Sequence, residues 1–138
     1  MKPIIFELAR QVALQSDFTK VHVGCVITYK GMPVSTGFNT NKTHPMQDIY
    51  NKFRRTPETK EFKAKCHAEI SALLKIKDKN YNPKKLCVYV YRITRKKSFG
   101  MARPCPSCMQ AIKDFGIKKV CYTTNTGYAE EVIDNGNL

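Results

Sequence analysis

The chain has 138 residues, 42% of them hydrophobic, which predicts one globular domain over 1–138 with a real core and argues against disorder. Its 24 lysines and arginines against 11 acidic residues give a formal charge of +13, which favours polyanions or phosphorylated molecules as partners and says nothing of the fold. No run is apolar enough to span a membrane, and Glu7 and Arg10 interrupt the N-terminal MKPIIFELARQVAL as a secretion signal, so cytoplasmic residence is expected.

In chain order, Ile5, Leu8, Ala9 and Val12 recur at helical spacing and predict a helix over 4–16, stopped by Ser16-Asp17. VHVGCVITYK is rich in β-branched residues and reads as a strand, with PVSTGFN returning beside it across a turn at Lys30-Gly31. Residues 40–65 are polar and basic. A connection this long in a compact domain tends to be functional, and it holds room for a short helix around Gln47 to Phe53.

A second helix is predicted from about His67 to Lys77, with Ile70, Leu73 and Leu74 on one face. LCVYVYRI reads as a buried strand and TRKKSFGMARP as a basic loop. A third helix starts near Pro106, proline being favoured in a first turn, and ends at Gly116; IKKVCYTT is a strand, NTG a turn, and YAEEVID either a last strand or a helix start. The order α, β, β, loop, α, β, α, β predicts a three-layer α/β pattern with helices on the faces of one sheet.

The six cysteines divide into two kinds. A disulfide framework is not needed in a chain with a core of this size. Cys25, Cys87 and Cys121 lie inside strand-like runs, where cysteine acts as a small hydrophobe. Cys66, Cys105 and Cys108 lie at helix starts beside histidine or proline. Cys105 and Cys108, three apart in a first turn, share a face and can grip one ion, and the positive end of the helix favours their thiolate form. A lone CxxC fits a redox pair equally well, and His67 with Glu69 upstream argues for the metal.

Two residues apart in mid-helix, His67 and Glu69 would point nearly opposite ways; at the first turn they can converge. Three ligands, His67, Cys105 and Cys108, would leave a fourth tetrahedral position open, as in catalytic zinc sites. Zinc lowers the pKa of water from about 15.7 to about 7, and Glu69 beside it would serve as acid and base. With Cys66 as a fourth ligand the site would be closed and structural instead.

These residues, HAE at 67–69 and PCPSC at 104–108, resemble the signature of the zinc-dependent cytidine and deoxycytidylate deaminase superfamily. The resemblance covers about Val21 to Tyr122. It implies a three-layer α/β/α fold with a central mixed sheet of about five strands, Zn2+ on His67, Cys105 and Cys108, proton transfer by Glu69, and attack on C4 of cytosine with loss of ammonia. It further implies contacts to substrate from Asn39, His44 and Ala68, and a homo-oligomer. A tight turn at TNTGY into an antiparallel fifth strand is similar to the branch acting on free nucleotides, with dCMP as the expected substrate. The alternative is cytosine or adenine in single-stranded DNA or RNA, with basic clusters at Lys52, Arg54, Arg55, Lys60, Lys63 and Lys65 and at Arg92, Arg95, Lys96, Lys97 and Arg103 tracking phosphates, and Phe53, Tyr91 or Phe99 stacking bases.

Overall fold

A computed structural model describes residues 2–17, 21–51, 66–94 and 99–133. The long polar connection is therefore described only up to Asn51, and Lys52, Phe53, Arg54, Arg55, Lys60, Lys63 and Lys65 lie outside the described residues, as do Arg95, Lys96 and Lys97. Within them a mixed sheet runs in the order β2 (Met32–Phe38), β1 (His22–Tyr29), β3 (Leu86–Ile93), β5 (Lys119–Thr123), β6 (Tyr128–Val132), with a short β4 (Phe99–Gly100) paired to the end of β3.

Helix α1 (Pro3–Ala13) opens on proline, whose missing N–H costs nothing in a first turn. It lays Ile5, Phe6, Ala9, Val12 and Ala13 on the sheet. Leu8, expected on that face, is only half-buried, and Phe6 takes the central place. Its ring meets Tyr89 edge-on at 5.2 Å and stacks on Tyr128 at 4.1 Å.

Strands β1 (His22–Tyr29) and β2 (Met32–Phe38) form the expected hairpin. Lys30 and Gly31 both have positive φ, the geometry of a two-residue turn that matches strand twist. β3 (Leu86–Ile93) pairs antiparallel with β1 and parallel with β5 (Lys119–Thr123). It reads as an almost unbroken apolar run because helices cover both its faces. Tyr89 and Tyr91 face α1, while Val88 and Val90 face α3 (Ala68–Leu74) and its neighbours.

Helix α4 (Pro106–Asp114) crosses from β3 to β5 on the same side as α3, and α2 (Pro45–Asn51) packs on α4. Ile27, Ile70, Leu73, Ile112 and Val120 close the space between helices and sheet. Each such side chain stabilises the fold by about 1.5–3 kcal/mol relative to exposure. Gly37 lets α3 press on β2: a Cβ there would lie 2.5 Å from the Ala68 carbonyl oxygen.

The basic loop and the end of the second predicted helix differ from expectation, and YAEEVID follows one of its two expected courses. The basic loop after β3 begins as a hairpin, with β4 (Phe99–Gly100) returning against Arg92 and Ile93. YAEEVID takes the strand alternative, and β6 (Tyr128–Val132) lies antiparallel to β5. α3 is also shorter than expected, ending at Leu74 rather than near Lys77, although Ile76 still points into the core. All six cysteines are free. No helix of the described residues is long and apolar enough to cross a membrane.

Candidate metal centre and active site

The site forms where two helices begin. His67 and Cys105 are the N-cap residues of α3 and α4, with extended backbone at ψ 160° and 167°, and neither side chain caps its own helix. An N-cap residue has not yet joined the helical spiral, so its side chain is free to turn across the helix end. That freedom lets His67 and Glu69 look into one space, as the sequence required. The first turn of α4 then sets Cys108 beside Cys105, secured by the Met109 N–H donating to the Cys105 carbonyl at 2.8 Å.

His67 Nδ1 lies 3.6 Å from Cys105 Sγ and 3.3 Å from Cys108 Sγ, and the three donor atoms all lie within 4.8 Å of one another. Zinc bonds of about 2.0–2.3 Å set tetrahedral donors roughly 3.4–3.8 Å apart, so the group fits Zn2+. One imidazole and two thiolates are also the donor set that borderline-soft zinc prefers. Among the described residues this is the single such trio.

Cys66 does not complete a fourth corner. It is buried, its Sγ donates to the His67 carbonyl at 3.6 Å, and burial, with the Glu69 charge adding to it, pushes its thiol up to about 11. The closed site considered from the sequence is not the one the structure builds.

Ordinary polar neighbours hold the trio. Ser107, fully buried, sits with its hydroxyl 3.0 Å from Cys105 Sγ. The hydrogen bond from Cys108 draws the Cys105 thiol down, while the same bond and burial raise Cys108, and Ser107 and His67 add to the lowering at Cys105. Gln47 is fully buried in the short α2; its Oε1 accepts the His67 N–H at 3.0 Å and its Nε2 donates to Asn51 at 2.8 Å. Neither Ser107 nor Gln47 carries a sequence signal beyond proximity to a motif or to a predicted short helix.

A cavity of about 360 Å³ opens onto this centre, lined in part by His67, Glu69, Cys105, Asn39, Val90 and Arg92. Glu69 is 6% exposed, and burial pushes its carboxyl up to about 7 against the pull of His67. Ala68 also lines the cavity. Asn39 lines it with a carboxamide already in use: Oδ1 accepts from the Val23 N–H at 2.9 Å and the Ser16 hydroxyl at 2.6 Å, and Nδ2 donates to the Val21 carbonyl at 3.0 Å. One amide hydrogen is left over. His44 is not in the cavity lining; its Nδ1 accepts the Met46 N–H at 3.0 Å at the entrance to α2. Tyr91, proposed to stack bases, is buried on the opposite, α1 face, and the Phe99 side chain lies outside the described residues.

A family model described as the cytidine and deoxycytidylate deaminase zinc-binding region matches residues 4–124. Among solved structures, the cytidine deaminase from Burkholderia pseudomallei is similar over 96% of this chain and 93% of its own, at 18% identity and a TM-score of 0.65. The dCMP deaminase from cyanophage S-TIM5, in complex with dCMP and dUMP, is similar over 88% and 82%, at 23% identity and a TM-score of 0.58. The cytidine deaminase from Mycobacterium leprae is similar over 90% and 87%, at 17% identity and 0.55. These likenesses show a shared fold. No curated protein matches the sequence.

Proposed function

Because the chain belongs to the cytidine and deoxycytidylate deaminase family, we propose that it is a zinc-dependent hydrolase that converts dCMP to dUMP with release of ammonia. The observation that carries this reading is the pairing of a three-donor centre with a buried carboxylate in one cavity: His67, Cys105 and Glu69 all line it. His67, Cys105 and Cys108 would hold the ion, which supplies Lewis-acid activation of water at the position left open.

Glu69 does the proton work. Its carboxylate accepts a proton from the attacking water and delivers it to the departing amino nitrogen, so that water adds at C4 and ammonia leaves. Burial suits it to both halves, because a carboxyl raised toward neutrality exchanges protons readily near pH 7. Gln47 holds the backbone at His67, and Ser107 offers its hydroxyl to the Cys105 sulfur. Asn39 and Ala68 line the cavity wall as contacts for the sugar and base.

Two observations support a free nucleotide. The cavity, at about 360 Å³, is in the range of pockets that enclose a small molecule, and β6 lies antiparallel to β5, the arrangement expected for the free-nucleotide branch. The cyanophage enzyme of the same fold binds dCMP and dUMP. The charge of +13 favours the second reading, a deaminase of single-stranded nucleic acid.

A panel assay tests the choice. Ammonia release is followed from cytidine, deoxycytidine, their monophosphates and triphosphates, adenosine and a single-stranded oligomer. Fastest turnover of dCMP is expected, with a mild response to salt. Turnover confined to the oligomer and falling steeply with salt would move the substrate to polynucleotides, and silence on every cytosine compound would remove the deaminase reading.

A further inference from the structure

Two arginines line the cavity, Arg92 and Arg103, and their situations differ. Arg103 is already neutralised. Its guanidinium makes a two-pronged bond to Glu131 on β6 at 2.9 and 2.8 Å, and Glu131 also accepts the Tyr122 hydroxyl at 3.1 Å. This arrangement fastens the segment leading into Cys105 to the edge of the sheet. Arg92 makes no ion pair among the described residues. Its Nε is buried and meets no hydrogen-bond acceptor among the described residues, which leaves the terminal guanidinium nitrogens to meet a ligand in the cavity.

The backbone under Arg92 is held firmly, while its side chain has no ion-pair partner among the described residues. The Thr123 hydroxyl, fully buried, accepts the Arg92 N–H at 3.2 Å and donates to the Gly100 carbonyl at 2.7 Å. The Thr123 carbonyl accepts the Ala102 N–H at 2.9 Å. One residue thus clamps both legs of the β3–β4 hairpin at its base. Gly100 makes room for the arginine stem, since a Cβ there would stand 3.0 Å from Arg92 Cγ and Cδ. A cation so anchored binds without losing much freedom, which is the benefit of preorganisation.

Its placement along the strand is informative. Val90 and Arg92 point to the same side of β3, and across from them on β1 stand Cys25 and Val23. Glu69 lies near the Cys25 end, where its charge adds to burial in raising the Cys25 thiol. Arg92 is two residues further on, about 6–7 Å along the strand. Val90, two residues before the arginine, and Val23, opposite it, form the apolar wall beside it. The cavity therefore offers a carboxylate at one end, an apolar wall for a ring, and beyond it an arginine with no ion pair among the described residues.

We propose that Arg92 is the specificity residue of this cavity, binding the phosphate attached to the sugar of the substrate and so selecting nucleotides over nucleosides. The inference rests on the deaminase reading above for the location of the base. A guanidinium fork matches phosphate oxygens in a two-pronged geometry that an ammonium group cannot copy.

The test separates binding from turnover. Zinc-loaded protein carrying Glu69→Gln is titrated calorimetrically with dCMP, deoxycytidine and a short oligomer with one internal cytosine. The monophosphate is expected to bind more tightly than the nucleoside, and adding Arg92→Ala should cut that advantage about 10- to 100-fold. Arg92→Lys, which keeps charge but not the fork, should restore part of it, and zinc content reports whether each variant is folded around its metal. An unchanged ratio of dCMP to deoxycytidine affinity, or equal losses for both, overturns the inference. An Arg92-dependent gain seen only with the oligomer likewise overturns the selection of free nucleotides and moves the arginine's contact to a phosphodiester. Ammonia release by protein with Glu69 intact is scored separately: Arg92-dependent binding of dCMP without any deamination would sink the proposed reaction and leave the phosphate site standing.

Discussion

The molecule contains two pairs of neighbouring cysteines, and only one of them is built for chemistry. Cys87 and Cys121 lie on adjacent parallel strands with their sulfurs 3.8 Å apart, on the sheet face covered by α1. The hydrogen bond to Cys121, with burial, raises the Cys87 thiol far above its ordinary range, and the Cys121 sulfur reaches Glu130 at 3.8 Å. Cys105 and Cys108 lie at the start of a helix, beside an imidazole and next to a cavity. Closeness of sulfur to sulfur is common to both. What differs is the third donor, the positive end of a helix that favours thiolate, and an approach for substrate.

The sharpest way to break this contrast is to remove one sulfur from each pair. Cys108→Ala should reduce zinc from about one ion per chain to none and bring deamination to background, while Cys121→Ala should keep both; metal analysis beside an ammonia assay reads the pair of outcomes. If Cys121→Ala loses the metal as well, the strand cysteines are not the bystanders described here. Next in size is Glu69→Gln, expected to keep zinc while kcat drops about 10²–10⁴-fold, as for loss of a general acid and base. Retained turnover in that variant would mean another group moves the proton.

Gln47→Ala should weaken zinc affinity about tenfold, the usual scale for removing an outer support of a ligand. Competition with a chelator measures it, and turnover at saturating zinc should stay near that of the parent. The smallest effect is expected from Cys66→Ala, which should keep metal and activity and cost about 1 kcal/mol of stability in a denaturant titration. Loss of zinc there would restore the closed four-ligand site that the geometry argues against.

Much of the fold was legible because burial leaves a period in the sequence. β1, β3 and β5 were readable from their apolar runs, the hairpin from Lys30-Gly31, and α4 from Pro106 at its start. The three donors and Glu69 were legible for a related reason: a first turn sets residues three apart on one face, and a residue at the helix start, not yet in the spiral, can turn its side chain across the end, so CxxC and HxE at a helix start carry geometry by themselves. β4 was missed because two residues without periodicity give no signal, and Leu8 was preferred to Phe6 because helical spacing does not say where the sheet lies.

The residues that support the site were decided only in three dimensions. Gln47 meets His67 across twenty positions of sequence, Arg103 meets Glu131 across twenty-eight, and Thr123 reaches Arg92 across thirty-one. Nothing local distinguishes Arg92 from Arg103; among the described residues, the register of β3, β5 and β6 pairs Arg103 with Glu131 and gives Arg92 no ion pair. Short-range spacing therefore determined which donor atoms gather closely enough to hold a metal and which carboxylate shares their cavity. Long-range strand pairing determined which charge is left facing the cavity, because a polar side chain's partner depends on contacts between segments far apart in the chain.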